Sequence, residues 1–281
     1  MTYGFNGETI NLAMPLRGVR YASCRLDFPV TQTTASGIEA ADFGANRLLA
    51  TFPEDLRQRV IKGGEAVWLE QGSRVFDRGE NITRSIFPLG STTVSLNAQI
   101  EGGRSIEAAS IGSEGAIGGI VSCGNAPAFS RADVISPGRA LAVPMAYLEE
   151  AKAESGHLRN LFCRYSDYLL AQIMQSVACN AFHPIEARAA RWLLTAQDRA
   201  GPRLQLTQDA LAQMLGVQRT TINAVARQLQ DEGLVTVRRG VIEILSREGL
   251  MARSCSCHDA VERFFGSMIG EGGTGGSVGC S

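Results

Sequence analysis

The chain has 281 residues, enough for about two domains, with 44% hydrophobic residues and a formal net charge of -1. That balance excludes a uniformly basic nucleic-acid binder, so any case for DNA binding has to rest on a local motif. No apolar run approaches the ~20 residues of a membrane span, and the start, MTYGFNGETINLAMPLRG, lacks the basic residues and apolar core of a secretory signal. Seven scattered cysteines, an odd number, fit a reducing cytoplasm better than a disulfide framework, and a cytoplasmic location is expected.

Residues 1–42 show no sustained periodicity and are expected to be disordered. Asn46–Phe52 and Pro53–Ile61 read as two short helices, with Pro53 suited to a helix start. From Glu65 to Val143 short runs with β character recur between turns: VWLE, RVF, RSIF, TTVSLNAQI, RSIEAASI, ADVI and ALAV. The turns include Arg78-Gly79-Glu80-Asn81, Glu101-Gly102-Gly103-Arg104 and Ser136-Pro137-Gly138. Regular short strands of this kind predict a small barrel or sandwich within residues 43–155.

Pro144 opens a short helix that ends near Glu154, and Gly156 marks a break. Residues 156–182 then read as one long helix carrying Leu158, Phe162, Tyr165, Leu169, Ile173 and Val177 among its apolar positions. These cover more than one face, and a helix apolar on two sides must bury two sides. The simplest second partner is the same helix of another subunit, which makes these six residues candidates for dimerisation. A helix wholly buried within one chain is the alternative.

Residues 183–250 begin with a supporting helix after Pro184 and continue into QDALAQMLGVQRTTINAVAR, Gln208 to Arg227. Counted from Gln208, the small Ala212 is fifth, where two helices nearly touch, and Gly216 is ninth, at a turn that needs positive φ. Leu211, Leu215, Val217, Ile222 and Val225 take the inward positions. Thr207 stands where a hydroxyl caps a helix start. Small residue, glycine turn and buried set together define a helix-turn-helix; a helical hairpin buried in an enzyme can match by chance.

The second helix of such a motif offers its first turns to the major groove. Gln218, Arg219, Thr220 and Asn223 are the candidate base contacts, because Arg pairs with guanine through two hydrogen bonds and Asn or Gln pairs with adenine. Thr207, Gln208 and Thr221 suit the phosphate backbone. After Gly233, LVTVRRGVIEIL alternates around Arg238-Arg239-Gly240, a β-hairpin wing whose two arginines are further backbone candidates. Polar side chains on a solvated helix face and at a charged hairpin tip are the bland alternatives. Residues 251–281 read as a terminal amphipathic helix with Val261, Phe264, Phe265 and Met268, then a flexible glycine-rich tail.

In its order of parts the chain resembles the Crp/Fnr family of bacterial transcription regulators over about residues 46–250. The segment LTQDALAQMLGVQRTTINAVARQLQDEGLV is similar to the family's DNA-binding signature. GENITRSIFPLGSTTVSLNAQIEGGRSIEAASIGSEGAIGG is similar, more loosely, to its cyclic-nucleotide-binding-like domain. The resemblance implies an α+β chain: an N-terminal double-stranded β-helix (jelly-roll-like) sensor barrel, a long dimerisation helix and a C-terminal winged helix-turn-helix. It implies a homodimer on two-fold symmetric double-stranded DNA, with RNA polymerase among the partners and no membrane, and control by an effector.

The effector residues depart from the family. Cyclic-nucleotide binders use a Gly-Glu pair for the ribose and an Arg followed by Ser or Thr for the phosphate; the matching places here are Gly118-Gly119 and Ser130-Arg131. The carboxylate is absent and the Arg is displaced by one residue onto the opposite strand face, so an effector or redox signal other than cyclic AMP is expected. Cys24 and Cys123 are too few for an iron–sulfur cluster in the N-terminal half. Cys255, Cys257 and His258 form a compact trio, but zinc takes four ligands, and neither a metal nor a cofactor is expected. Cys163 and Cys179 on the long helix are read as buried thiols, with a redox switch as the alternative. The recognition helix also departs, with Arg219-Thr220 and then Ala224.

The reading is a sequence-specific DNA-binding regulator. The alternative is a sensing or scaffold protein whose helix-turn-helix contacts protein. An enzyme is not expected: His157, His183 and His258 all fall outside the barrel, and no nucleophile motif or phosphate loop is present.

Overall fold

The computed structural model describes residues 37–101, 104–119 and 127–269. Residues 1–36, most of the segment expected to be disordered, lie outside the described residues, as do Cys123 and the glycine-rich tail.

Helix α1 (Ala40–Gly44), a single 3-10 turn (Leu49–Thr51) and α2 (Glu54–Gly63) lead into seven strands: β1 (Glu65–Leu69), β2 (Arg74–Phe76), β3 (Arg84–Pro88), β4 (Thr93–Gln99), β5 (Ser105–Ile111), β6 (Arg131–Ser136) and β7 (Gly138–Pro144). They form two antiparallel sheets ordered β1-β7-β3 and β2-β6-β4-β5. Alternation decides which side chains go inside. Along β6, Ala132 and Val134 enter the core with Leu69, Val75, Phe76, Ile86, Val94, Ile111, Ile117, Ala140 and Ala142. Arg131 and Asp133 take the other face. The seven apolar runs of the sequence correspond to the seven strands.

Two expectations at the amino-terminal end are corrected. Residues 40–42 are helical and ordered into the fold: Asp42 is buried and pairs with Arg139 of β7 at 3.0 Å. Asn46–Phe52 is not a full helix. The Asn46 amide is buried, donating to Pro88 O and Gly115 O at 2.8 Å while its oxygen accepts from Leu48 N and Leu49 N at 3.0 Å. A side chain that satisfies the backbone in this way competes with helical hydrogen bonding, and only the 3-10 turn remains.

Helix α3 (Met145–Glu154) starts at Pro144, and α4 (Gly156–Phe182) follows with Ser155 as its N-cap. The buried side of α4 carries Leu158, Leu161, Phe162, Tyr165, Tyr168, Gln172, Ser176 and Cys179, a spacing of three and four. Tyr165 is fully buried; its hydroxyl accepts from Ala116 N and donates to Ala116 O, both at 2.9 Å. Gly115 makes room for it, since a Cβ there would overlap the hydroxyl. The other side of α4 leaves Cys163, Leu170, Ile173, Met174 and Val177 exposed. Leu158, Phe162 and Tyr165, expected at a dimer contact, are therefore corrected to intrachain core, because each is at most 3% exposed against its own domain. Leu169 is half-buried. Cys163, read as buried, is exposed.

The carboxy-terminal part contains α5 (Ile185–Ala200), β8 (Arg203–Leu204), α6 (Gln208–Leu215), α7 (Arg219–Asp231), β9 (Val235–Arg238), β10 (Val241–Ile244), α8 (Arg247–Arg253) and α9 (Cys257–Ile269). Helix α9 returns to α4, where Phe265 stacks edge-on against Tyr168 at 4.8 Å. No helix among the described residues is long and apolar enough to cross a membrane.

Helix α5 holds this part to the barrel through β5. Trp192 Nε1 donates to Glu107 at 2.9 Å. Arg199 donates to the Ser110 hydroxyl and carbonyl and pairs with Glu114. The Arg199 and Glu114 side chains are 9% and 12% exposed, so the pair is shielded from solvent. Breaking such a pair strands a charge, at a cost of roughly 3–5 kcal/mol, whereas replacing both members by apolar groups is often near neutral. Glu114→Ala is expected to lose stability of about that order in denaturant unfolding, and Glu114→Leu with Arg199→Met to lose much less; equal losses would show that the two residues do not act as a pair.

Candidate nucleic-acid interface

Thr207 ends an extended segment, and its hydroxyl accepts from Ala210 N at 3.1 Å to cap α6. The α6 helix stops at Gly216, which sits at φ 66°, ψ 32°, the left-handed region. Gly216 N bonds to Gln213 O and Val217 N to Ala212 O, closing the turn. Ala212 is 3% exposed where α6 meets α7. Leu211, Leu215, Ile222 and Val225 are buried with Leu193, Leu206 and Leu229 in one core, and Val217 packs against it half-buried. The turn reaches the barrel as well: a Cβ on Gly216 would lie 3.0 Å from Ile106 Cδ1 of β5.

With α7 fixed in this way, Gln218, Arg219 and Thr220 are exposed at its start. The Arg219 guanidinium pairs with Asp209 of α6 at 3.0 Å, but both side chains are more than half exposed, so this is a weak bridge that an incoming anion can displace. Thr221 and Asn223 are half-buried, and Asn223 Oδ1 is enclosed without a hydrogen-bond partner among the described residues. Arg227, not among the candidates, is exposed on the helical stripe of Thr220 and Ala224, one helical period along from them. Of the remaining backbone candidates, Thr207 is exposed and Gln208 half-buried.

Helix α7 ends through Gly233 at φ 70°, and the chain turns into the wing, a sheet ordered β8-β10-β9. Arg239 (φ 45°) and Gly240 (φ 83°) form its tip. Positive φ at both central residues is the two-residue hairpin geometry that matches strand twist. Arg239 is the single non-glycine residue with positive φ among the described residues, and this costs of order 1–3 kcal/mol. Arg238 and Arg239 both stand exposed.

A groove of about 870 Å³ separates the outer face of the barrel from α6, lined in part by Asn97, Arg131, Asp133, Gln213 and Gln218. Arg131 Nε donates to Asp133 at 2.8 Å in this groove. Arg131 thus lies on the outer face of the barrel, while the interior core is apolar. Gly118 and Gly119 both take positive φ, at 86° and 64°.

The terminal trio expected from sequence is divided. His258 turns to Asp198 at 2.8 Å and to Asp259 at 3.1 Å. Cys255 and Cys257 instead meet Cys179 and His183 from the end of α4. The four donors that the fold brings together are thus a different set from the sequence trio, with His258 outside it. The pairs are 76 residues apart in Cys179 and Cys255, so only the folded chain brings them together.

A jelly-roll-like barrel, a long two-faced helix and a winged helix-turn-helix follow one another in this order. Residues 187–253 match the family model described as the Crp-like helix-turn-helix domain, and over about 70% of its length the chain shares the fold of solved Crp/Fnr-type structures. FixK2 from Bradyrhizobium japonicum matches 68% of this chain and 98% of its own at 15% identity, with a TM-score of 0.59. A CRP/FNR-family transcriptional regulator from Thermus thermophilus matches 69% and 98% at 18% identity, with a TM-score of 0.53. In sequence, 71 residues are 39% identical to the HTH-type transcriptional regulator Cmr of Mycobacterium tuberculosis. That stretch is 25% of this chain and spans 28% of the relative's length.

Gly216→Ala is expected to destabilise the carboxy-terminal domain by about 1–2 kcal/mol, from a Cβ in the left-handed region. Adding Ile106→Ala removes the side-chain crowding but leaves the backbone cost, so urea midpoints that return to the parent value would contradict this account.

Proposed function

We propose that the protein is a sequence-specific transcription regulator that binds DNA as a homodimer. The observation that carries this reading is the exposed start of α7, where Gln218, Arg219 and Thr220 project beside a wing tipped by Arg238 and Arg239. Arg219 and Thr220, with Gln218 and Asn223, read base edges in the major groove. Arg227 adds a contact further along the same helix. Thr207, Gln208, Thr221, Arg238 and Arg239 hold the phosphates. The strained Arg239 at the wing tip fits a residue kept for contact rather than for stability.

Dimerisation rests on the exposed stripe of α4. Leu170, Met174 and Val177 are 55%, 63% and 65% exposed, and Ile173 lies beside them. Pairing this stripe with its copy across a two-fold axis sets two α7 helices about 34 Å apart, one turn of DNA. Control is by a signal other than cyclic AMP. The reading is supported by Arg131 on the outer barrel face and by Gly119 where a ribose-binding carboxylate would stand. RNA polymerase is the partner through which such a dimer would act on transcription.

Arg219→Ala is expected to cost about 1–3 kcal/mol on the specific site and to relax base choice there. Arg238→Ala is expected to weaken all DNA alike and to lower the salt slope by about one. Binding titrations at several salt concentrations read both; equal loss on specific and random DNA for Arg219→Ala would refute its role.

Met174→Glu combined with Val177→Glu is expected to yield a folded monomer in sedimentation, whereas Leu158→Ala, in the intrachain core, should cost roughly 2–5 kcal/mol of chain stability with assembly retained. A dimer surviving the double change would move the interface elsewhere.

A further inference from the structure

Four potential metal donors converge where the long helix meets the DNA-binding domain: Cys179, His183, Cys255 and Cys257, whose ligating atoms all lie within 4.8 Å of one another. We propose that they form a mononuclear zinc site of the Cys3His type. The contributing elements are held independently of any ion. Cys179 lies in the last turn of α4, and His183, its C-cap, is one turn on, with His183 N bonded to Cys179 O at 3.1 Å. A spacing of four on a helix aims both side chains the same way. Cys255 and Cys257 bracket Ser256 in the link from α8 into α9, and α9 is anchored to α4 by the buried Phe265.

Two of the separations match one tetrahedral ion, and the rest lie within 4.8 Å. Zinc bonds of about 2.3 Å to sulfur and 2.0–2.1 Å to nitrogen put neighbouring ligand atoms about 3.6–3.8 Å apart. Cys179 Sγ and Cys255 Sγ are 3.6 Å apart, and Cys257 Sγ and His183 Nδ1 are 3.5 Å apart. An iron–sulfur cluster distributes its thiolates over several irons and needs a wider spread. A disulfide between Cys179 and Cys255 needs sulfurs at ~2.05 Å and leaves Cys257 and His183 unused. Zinc with four protein ligands is the closed, structural form.

The surroundings suit an anionic complex of one divalent ion and three thiolates. Gln175 Nε2 donates to Cys257 Sγ at 3.0 Å, an outer-shell contact that orients a ligand. Helix α5 contributes Arg188 and Arg191 to this part of the chain. Both have an enclosed Nε without a hydrogen-bond partner among the described residues, and Arg188 also donates to Leu215 O of α6 at 2.6 Å. The ion would thus pin α9 to the end of α4, at the joint from which α5 and the helix-turn-helix extend.

The decisive experiment is elemental analysis of the full-length protein, purified under reducing conditions without chelator. The expected result is about one zinc per chain, with cobalt substitution giving the intense visible bands of tetrahedral thiolate coordination. Cys257→Ser should lose the ion, and His183→Cys should keep it with more intense sulfur charge-transfer absorption. If Cys257→Ser fails to fold, the parent stoichiometry and cobalt spectrum still decide. Zinc-free protein with freely titrating thiols, or a Cys179–Cys255 disulfide in the peptide map, would overturn the proposal. None of these readouts depends on DNA binding, so the site stands or falls apart from the regulator reading.

Discussion

A helix with apolar residues on two faces has to bury both, and α4 sets that demand for the whole molecule. Its inner face is settled within the chain. Tyr165 reaches into the barrel to hold Ala116 by two hydrogen bonds, and Tyr168 receives Phe265 from α9. A phenol buried this deeply is tolerated because its hydroxyl is satisfied, and burial pushes the Tyr165 and Tyr168 pKa values up, so both stay neutral. The outer face, with Leu170, Met174 and Val177, has no such partner within the described residues.

The same helix determines where the helix-turn-helix can sit. The chain leaves α4 at His183-Pro184, and α5 is then fastened to β5 by Arg199, Glu114 and Trp192. The Gly216 turn rests near Ile106 of that strand. The barrel and the helix-turn-helix domain therefore meet at β5. The four-donor cluster lies at the other end of the α5 connection, where α4, α5 and α9 meet.

Much of this was legible in the chain. The helix-turn-helix could be read because its constraints are local: Thr207, Ala212 and Gly216 fall within ten residues, and each has a steric reason. The seven strands were legible from alternation and turn residues, and α4 from its period. What was not legible depends on who faces whom. Leu158, Phe162 and Tyr165 share apolar character with Leu170, Met174 and Val177, so composition could not divide the inner face from the outer. Asn46 shows a second limit, since a buried amide that bonds to Pro88 O and Gly115 O looks like any helix residue in sequence. Cys179 and His183 pair with Cys255 and Cys257 only through the return of α9, and neither half has a zinc spacing that stands alone.

The most direct test of the central claim is sequencing of genomic fragments bound by the purified protein at near-physiological salt. The account predicts enrichment of a two-fold symmetric motif whose half-sites lie about one helical turn apart. Uniform recovery of fragments, with no symmetric motif in reduced protein or with cell extract added, would contradict it.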